Sequence, residues 1–200
     1  FNPHPGSVVQ GNAPQLIFSQ EEKIAEIEAC GMDYMVIVPF TREFANMQPE
    51  QFIDEVIHGR IMAKGVVVGH DFCFGRQAKG DIAFLKEIGK RRGFFVDAVA
   101  PVVHQGLVVS STCLRGMIRS GDVAGAARLL PHPFRLQGPV VHGMSRGRTL
   151  GFPTANIRPD KSLLPAYGVY AVQVTMGTDP YPGVANIGDN PTFGDEGTSL

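Results

Sequence analysis

Apolar and polar residues follow two different rhythms along this chain, and the change falls near residue 132. In the first part, stretches of helical period alternate with short apolar runs. Ser19-Gln-Glu-Glu22 has the spacing of a capping box, in which a serine hydroxyl and a glutamate three residues on satisfy one another's backbone N–H groups. Ile24 and Ile27 follow at helical spacing, and Gly31 stands where a glycine ends such a helix. Tyr34–Phe40 is nearly all apolar and predicts a buried strand. Phe52, Ile53, Val56 and Ile57 return to helical spacing, and Gly65–Gly69 (GVVVG) predicts a second short buried strand. Asp81–Arg92 carries Ile82, Leu85 and Ile88 on one helical face, and Gly93–Val103 is extended, aromatic and β-branched. Two short helices are predicted from Ser111 and from Asp122, with Gly121 ending the first and Asp122 capping the second.

Alternation of strand and helix argues for a parallel sheet with helices on both faces, whose ligand site lies beyond the carboxyl ends of the strands. Past Pro131-His132-Pro133 no helical period continues. Extended runs such as Gly168–Thr175 are separated by Gly/Pro turns, which suits a small barrel or sandwich. The expected organisation is therefore α/β plus all-β, with domains at 1–132 and 133–200.

Composition narrows the class. Hydrophobic residues are 44% of the 200, enough for a sizeable core, and charged residues are only 18%. This is no solvated, disordered chain. The 24 glycines and 15 prolines indicate many turns and close backbone approaches. Formal charge is −1, with 13 basic and 14 acidic residues in 1–130 and five of each in 131–200, so no bulk attraction to nucleic acid or anionic membrane is expected. No apolar run approaches the ~20 residues of a membrane span, and no signal peptide is read at the start. Cys30, Cys73 and Cys113 form no C-x-x-C pair, which favours a reducing, cytoplasmic setting. The chain opens at Phe1, within what reads as a motif, and is expected to be part of a longer protein.

Three strings carry chemistry. Gly69-His-Asp-Phe-Cys-Phe-Gly75 follows a strand, where glycines admit a ligand close to the backbone and Asp71 can hold a ribose, phosphate or metal; a tight strand-to-helix turn reads the same way. Val109-Ser-Ser-Thr-Cys-Leu-Arg115 runs into a helix start. Ser111, Thr112 and free N–H groups there converge on an anion, and Arg115, one turn in, offers a planar fork; the alternative is an ordinary serine cap. Gly143-Met-Ser-Arg-Gly-Arg-Thr-Leu-Gly-Phe-Pro-Thr-Ala-Asn156 is a glycine-rich loop whose Arg146 and Arg148 can neutralise phosphate. Thr154 and Asn156, two apart and so on one face of a strand, offer hard oxygen ligands suited to Mg²⁺; the alternative is a hairpin with a buried polar pair. The loop is not a P-loop. His4, in the rigid Phe1-Asn-Pro-His-Pro5 turn, is a weaker candidate.

Taken together, PHP, GHDF…FG…GD, SSTCLR, GRTLGFPTAN, GVANIG and NPTFG occur in one order along essentially the whole chain. In this the chain resembles the bifunctional bacterial FAD synthetases, a riboflavin kinase joined to an FMN adenylyltransferase. The resemblance implies a Rossmann-like nucleotidyltransferase domain followed by a small Greek-key β-barrel kinase domain. It implies riboflavin + ATP → FMN + ADP in the barrel and FMN + ATP → FAD + pyrophosphate in the α/β domain, both with Mg²⁺. The implied partners are small molecules only.

The resemblance further implies that Ser111, Thr112 and Arg115 hold ATP phosphates in the adenylyltransferase, with Arg115 stabilising charge on the departing pyrophosphate. Asp71, Phe72 and His4 would lie by flavin or nucleotide. In the kinase, Gly143, Arg146, Gly147, Arg148 and Gly151 would cover the triphosphate, Thr154 and Asn156 would hold Mg²⁺, and Asn186 and Thr192 would line the flavin side. Family members carry an HxGH motif earlier and a catalytic glutamate beyond NPTF, and neither is identified within these 200 residues. Both sites are therefore expected to be incomplete here. The competing readings are a flavin- or nucleotide-binding module without turnover and an adenylyltransferase for another mononucleotide.

Overall fold

The computed structural model describes residues 1–142, 154–189 and 198–199. In chain order the helices are α1 (Pro5–Val9), α2 (Gln20–Ala29), α3 (Arg42–Ala45), α4 (Pro49–Phe52, continued by a wider helix Ile53–Arg60), α5 (Ile82–Arg92), α6 (Ser111–Arg119) and α7 (Val123–Ala127). The strands are β1 (Gly65–Gly69), β2 (Phe95–Val99), β3 (Val103–His104), β4 (Leu107–Val108), β5 (Val140–Val141), β6 (Asn156–Ile157), β7 (Gly168–Met176), β8 (Asp179–Asp189) and β9 (Thr198–Ser199). They fall into two compact units: Phe1–Pro14 with Asp33–Val108, and Gln15–Met32 with Val109–Leu200.

The first unit is built on a βαβ crossover. β1 and β2 pair in parallel, Gly65 opposite Phe95 through Gly69 opposite Val99, and α5 connects them. Asp81 caps α5 by accepting the Phe84 N–H at 2.8 Å. Lys90, Arg91 and Arg92 occupy its last turn, where cations suit the negative end of the helix dipole. Leu85 and Ile88 are buried with Ile53, Phe74 and Phe94, and Val66, Val68 and Val96 of the sheet pack on them. Each such burial is worth about 1.5–3 kcal/mol.

Two predicted buried strands are corrected here. β1 forms, but only one of its faces is covered: Val67 is 62% exposed while Val66 and Val68 face the core. Tyr34–Phe40 does not become a strand, and Tyr34 is 91% exposed. A strand needs a neighbouring backbone. Among the described residues this segment is bridged only by Asn2, whose N–H donates to Val38 O at 3.1 Å and whose carbonyl accepts from Phe40 N at 3.2 Å, on either side of Pro39.

In the second unit the predicted capping box is present. Ser19 Oγ accepts the Glu22 N–H at 3.2 Å and Glu22 Oε2 accepts the Ser19 N–H at 2.7 Å. Gly31, at φ +76°, follows α2 in the left-handed region that favours glycine. α6 and α7 form as predicted, with Asp122 capping α7 through the Gly125 N–H at 2.8 Å. Leu114, Ile118, Ala126, Ile17 and Leu163 make the core. Beyond residue 132 the described elements are all strands. β7 and β8 form a long antiparallel hairpin whose turn places Met176 opposite Asp179, and β5–β6 and β8–β9 are short antiparallel pairs. Among the described residues these sheets do not close into a barrel.

Candidate functional site

The GHDF string forms a turn directly after β1, closed by the Phe72 N–H donating to Gly69 O at 3.1 Å. Asp71 is exposed at its tip. Phe72 points the other way: its ring stacks on Phe74 at 5.4 Å and packs against the core. Gly75 has a backbone reason to be glycine. Its φ is +71°, and a Cβ there would lie 2.8 Å from the Pro49 backbone. At Gly75, then, the close approach is to the protein's own chain. His4 caps α1, its Nδ1 accepting the Gly6 N–H at 3.0 Å.

Sequence reasoning missed a pocket in this first unit. It has a volume of about 350 Å³ and is lined by Pro39, Thr41, Glu43, Phe44, Asn46, Met47 and Gln51. Phe44 belongs to a train of aromatic rings, 5.6 Å from Phe40 and 6.0 Å from Phe52, with Phe52 a further 5.6 Å from Phe74. The spacing of Phe40 and Phe44, four residues apart around the Thr41 cap of α3, was the available signal. Nearby, Arg92 grips Asp54 with two hydrogen bonds of 2.8 and 2.9 Å. Those bonds lower the Asp54 carboxyl from its ordinary value and raise the Arg92 guanidinium.

In the second unit, the serine that caps α6 is Ser110, whose Oγ accepts the Cys113 N–H at 3.2 Å. Ser111 and Thr112 are therefore the first residues of the helix, both exposed. Arg115 lies one turn in, half-buried, and its Nε donates to Gln15 O at 2.7 Å. One edge of its fork is thus committed to the protein.

Asn156 opens β6, half-buried and opposite Val141. Thr154 is exposed and stands two residues ahead of that strand. Asn186 lies exposed on β8 opposite Val169, two residues from the exposed Val184. Gly143, Arg146, Gly147, Arg148, Gly151 and Thr192 lie outside the described residues. Among the described residues no group of three or more His, Cys, Asp or Glu side chains is placed to hold a metal ion. No described helix is long and apolar enough to cross a membrane.

A parallel βαβ unit followed by antiparallel sheets is the order that the resemblance implies for a nucleotidyltransferase-like region joined to a riboflavin kinase region. Comparison with known families agrees. The FAD synthetase family model matches residues 1–113 and the riboflavin kinase model matches residues 130–200. The chain belongs to the FAD synthetase family. The bifunctional riboflavin kinase/FMN adenylyltransferase of Escherichia coli (strain K12) is 39% identical over 194 residues, 96% of this chain and 62% of that protein. The protein of the same description from Bacillus subtilis (strain 168) is 38% identical over 197 residues, 96% and 61%. The chain thus spans about three fifths of the length of these relatives. A crystal structure described as a macrolide-efflux protein from Streptococcus pneumoniae is also similar, with TM-score 0.86 and 32% identity, covering 99% of this chain and 65% of that one.

Proposed function

We propose that this protein works in FAD synthesis, phosphorylating riboflavin with ATP to FMN and adenylylating FMN with a second ATP to FAD. The observation that carries this is the succession of an FAD synthetase match and a riboflavin kinase match along one chain. The division between the two activities would fall near residue 132, with the kinase strands arranged as a Greek-key barrel and the protein acting in the cytoplasm.

Adenylyl transfer needs positioning and charge neutralisation. An FMN phosphate oxygen attacks the α-phosphorus of ATP in line, and pyrophosphate leaves. Ser111, Thr112 and the N–H groups at the start of α6 would hold phosphate oxygens, and the Nη groups of Arg115 would take up charge on pyrophosphate. Asp71, exposed beyond β1, would orient a ribose or ribityl hydroxyl, with His4 on the flavin side and Phe72, packed on Phe74, supporting the turn from beneath. The pocket lined by Pro39, Phe44 and Met47 would be a place for the apolar part of a ligand.

In the kinase, the terminal ribityl hydroxyl attacks the γ-phosphorus and ADP leaves. Gly143–Gly151 would cover the triphosphate, with Arg146 and Arg148 against it, and Asn186 and Thr192 would line the flavin side. Thr154 and Asn156 offer neutral oxygens and no carboxylate. That donor set fits Mg²⁺ as a complement to nucleotide phosphates, and bound Mg²⁺ would supply charge neutralisation.

The test is to incubate the full-length protein with riboflavin, ATP and Mg²⁺ and to resolve flavins by chromatography. FMN and then FAD should accumulate, with pyrophosphate released in step with FAD. Binding of ATP and flavin with no product would replace this reading by that of a binding module.

A further inference from the structure

We propose that Gln15 is a positioning residue that ties the Arg115 fork to the segment Lys161–Leu163. The proposal rests on the phosphate role given to Arg115 above. Gln15 makes two contacts far apart in sequence. Its carbonyl accepts from Arg115 Nε at 2.7 Å, and its side-chain Nε2 donates to Ser162 O at 2.7 Å. Each end of this relay is fixed. Leu114, beside Arg115, and Ile17, close to Gln15, are buried in one cluster with Leu163, which is fully buried. On the other side of Ser162, the Lys161 side chain is 2% exposed, pairs with Glu22, and donates to Arg135 O at 2.9 Å. The Ser162 carbonyl is therefore a fixed acceptor. It holds the Gln15 amide, and through it the carbonyl on which Arg115 rests.

The consequence is chemical. A guanidinium held at Nε can present only its two Nη groups, in one plane, to an incoming anion. Such a fork pays little reorganisation when charge develops on a leaving group. Released from Gln15 O, Arg115 would still attract a phosphate but would have to find its orientation during the reaction. The relay also couples residues that match the riboflavin kinase family to a residue assigned here to adenylyl transfer, so that displacement of 161–163 is felt at Arg115.

The test uses Gln15→Met in the full-length protein, which keeps the length of the side chain and removes the donor. FAD formation from FMN and ATP should lose roughly tenfold or more in kcat with little change in KM for ATP, as misplacement of a catalytic group does. Riboflavin phosphorylation should be unchanged. Combining Gln15→Met with Arg115→Ala should be no worse than Arg115→Ala alone, because the relay acts only through that fork. A purely structural role would instead add its loss to the double variant and would lower both activities. If Arg115→Ala leaves FAD formation intact, the phosphate role itself fails. If Arg115→Ala is damaging while Gln15→Met keeps its kcat, the positioning role alone is overturned. Should Gln15→Met not fold, Gln15→Glu, which faces Ser162 O with an acceptor, carries the same readings.

Discussion

The two compact units are held together by different means. In the first, the core gathers around a local crossover, where α5 follows β1 and the sheet closes on it, and a train of aromatic rings from Phe40 to Phe74 extends it. Its strongest polar tie, Arg92 to Asp54, links two neighbouring helices and lies at the surface. In the second, a segment drawn from early in the chain is pinned by polar contacts across 100 residues or more: Arg115 to Gln15, Gln15 to Ser162, and His132 Nε2 to Glu26 Oε1 at 2.9 Å. α2 itself buries no residue. Carboxylates rather than an apolar face hold it in place. The first kind of unit degrades gradually when one contact is lost. The second is exposed to the loss of single polar partners, because each joins segments far apart in sequence, and the Lys161–Glu22 pair among them is largely buried.

The largest expected effect tests that contrast. Lys161→Met leaves Glu22 largely buried without its cation, and removing one member of a buried pair costs about 3–5 kcal/mol. The urea midpoint of the second unit should fall accordingly, and adding Glu22→Gln should recover much of the loss. If Lys161→Met is neutral, the polar ties are incidental and the contrast fails. Next in size is Arg115→Ala in the full-length protein, expected to lower FAD formation about 10²-fold, as loss of an anion-stabilising donor does. FMN formation should survive. If both activities fell together with folding intact, the division of labour would be wrong. Asn156→Ala is expected to cost at least roughly tenfold in riboflavin phosphorylation, partly relieved by raised Mg²⁺, with FAD formation from supplied FMN retained. Were Asn156 only a structural partner in the β5–β6 pair, the melting temperature would fall and kinase activity would stay.

The same contrast explains what could be read from residue order. The capping box at Ser19, the α5 face of Leu85 and Ile88, the cap at Asp122 and the change to strands after residue 132 were all legible, because each is written within a few residues. Tyr34–Phe40 was misread because an apolar run says nothing about whether a neighbouring backbone will pair with it. The start of α6 at Ser111 was legible, but not which hydroxyl caps it: Ser110, Ser111 and Thr112 are alike as residue types, and only the backbone decides which is extended. The Gln15 relay was invisible because it joins residues whose proximity is a product of folding, whereas the Phe44 pocket, lined from within residues 39–51, left a local signal in the Phe40–Phe44 spacing that was not used. The string around Gly75 was legible as a glycine requirement, and at Gly75 itself the backbone of Pro49 supplies one cause.

The smallest effect is expected at the tie that the first unit can best spare. Asp54 and Arg92 are each more than a third exposed, so water and salt screen their attraction. The two hydrogen bonds from Arg92 nevertheless hold the Asp54 carboxyl below its ordinary value. A carboxyl whose folded pKa is depressed binds fewer protons folded than unfolded across the interval between the two values. Its stabilising contribution is therefore complete above the unfolded value of ~3.9 and is lost as pH falls through the folded one. Asp54→Asn should lower the melting temperature slightly at about pH 7 and in low salt, and the difference from the parent protein should close as pH falls below the ordinary carboxylate range. A difference that persists unchanged in acid would mean that Asp54 acts through packing of the Ile53–Arg60 helix rather than through its charge, and the first unit would then share the second's dependence on fixed polar partners.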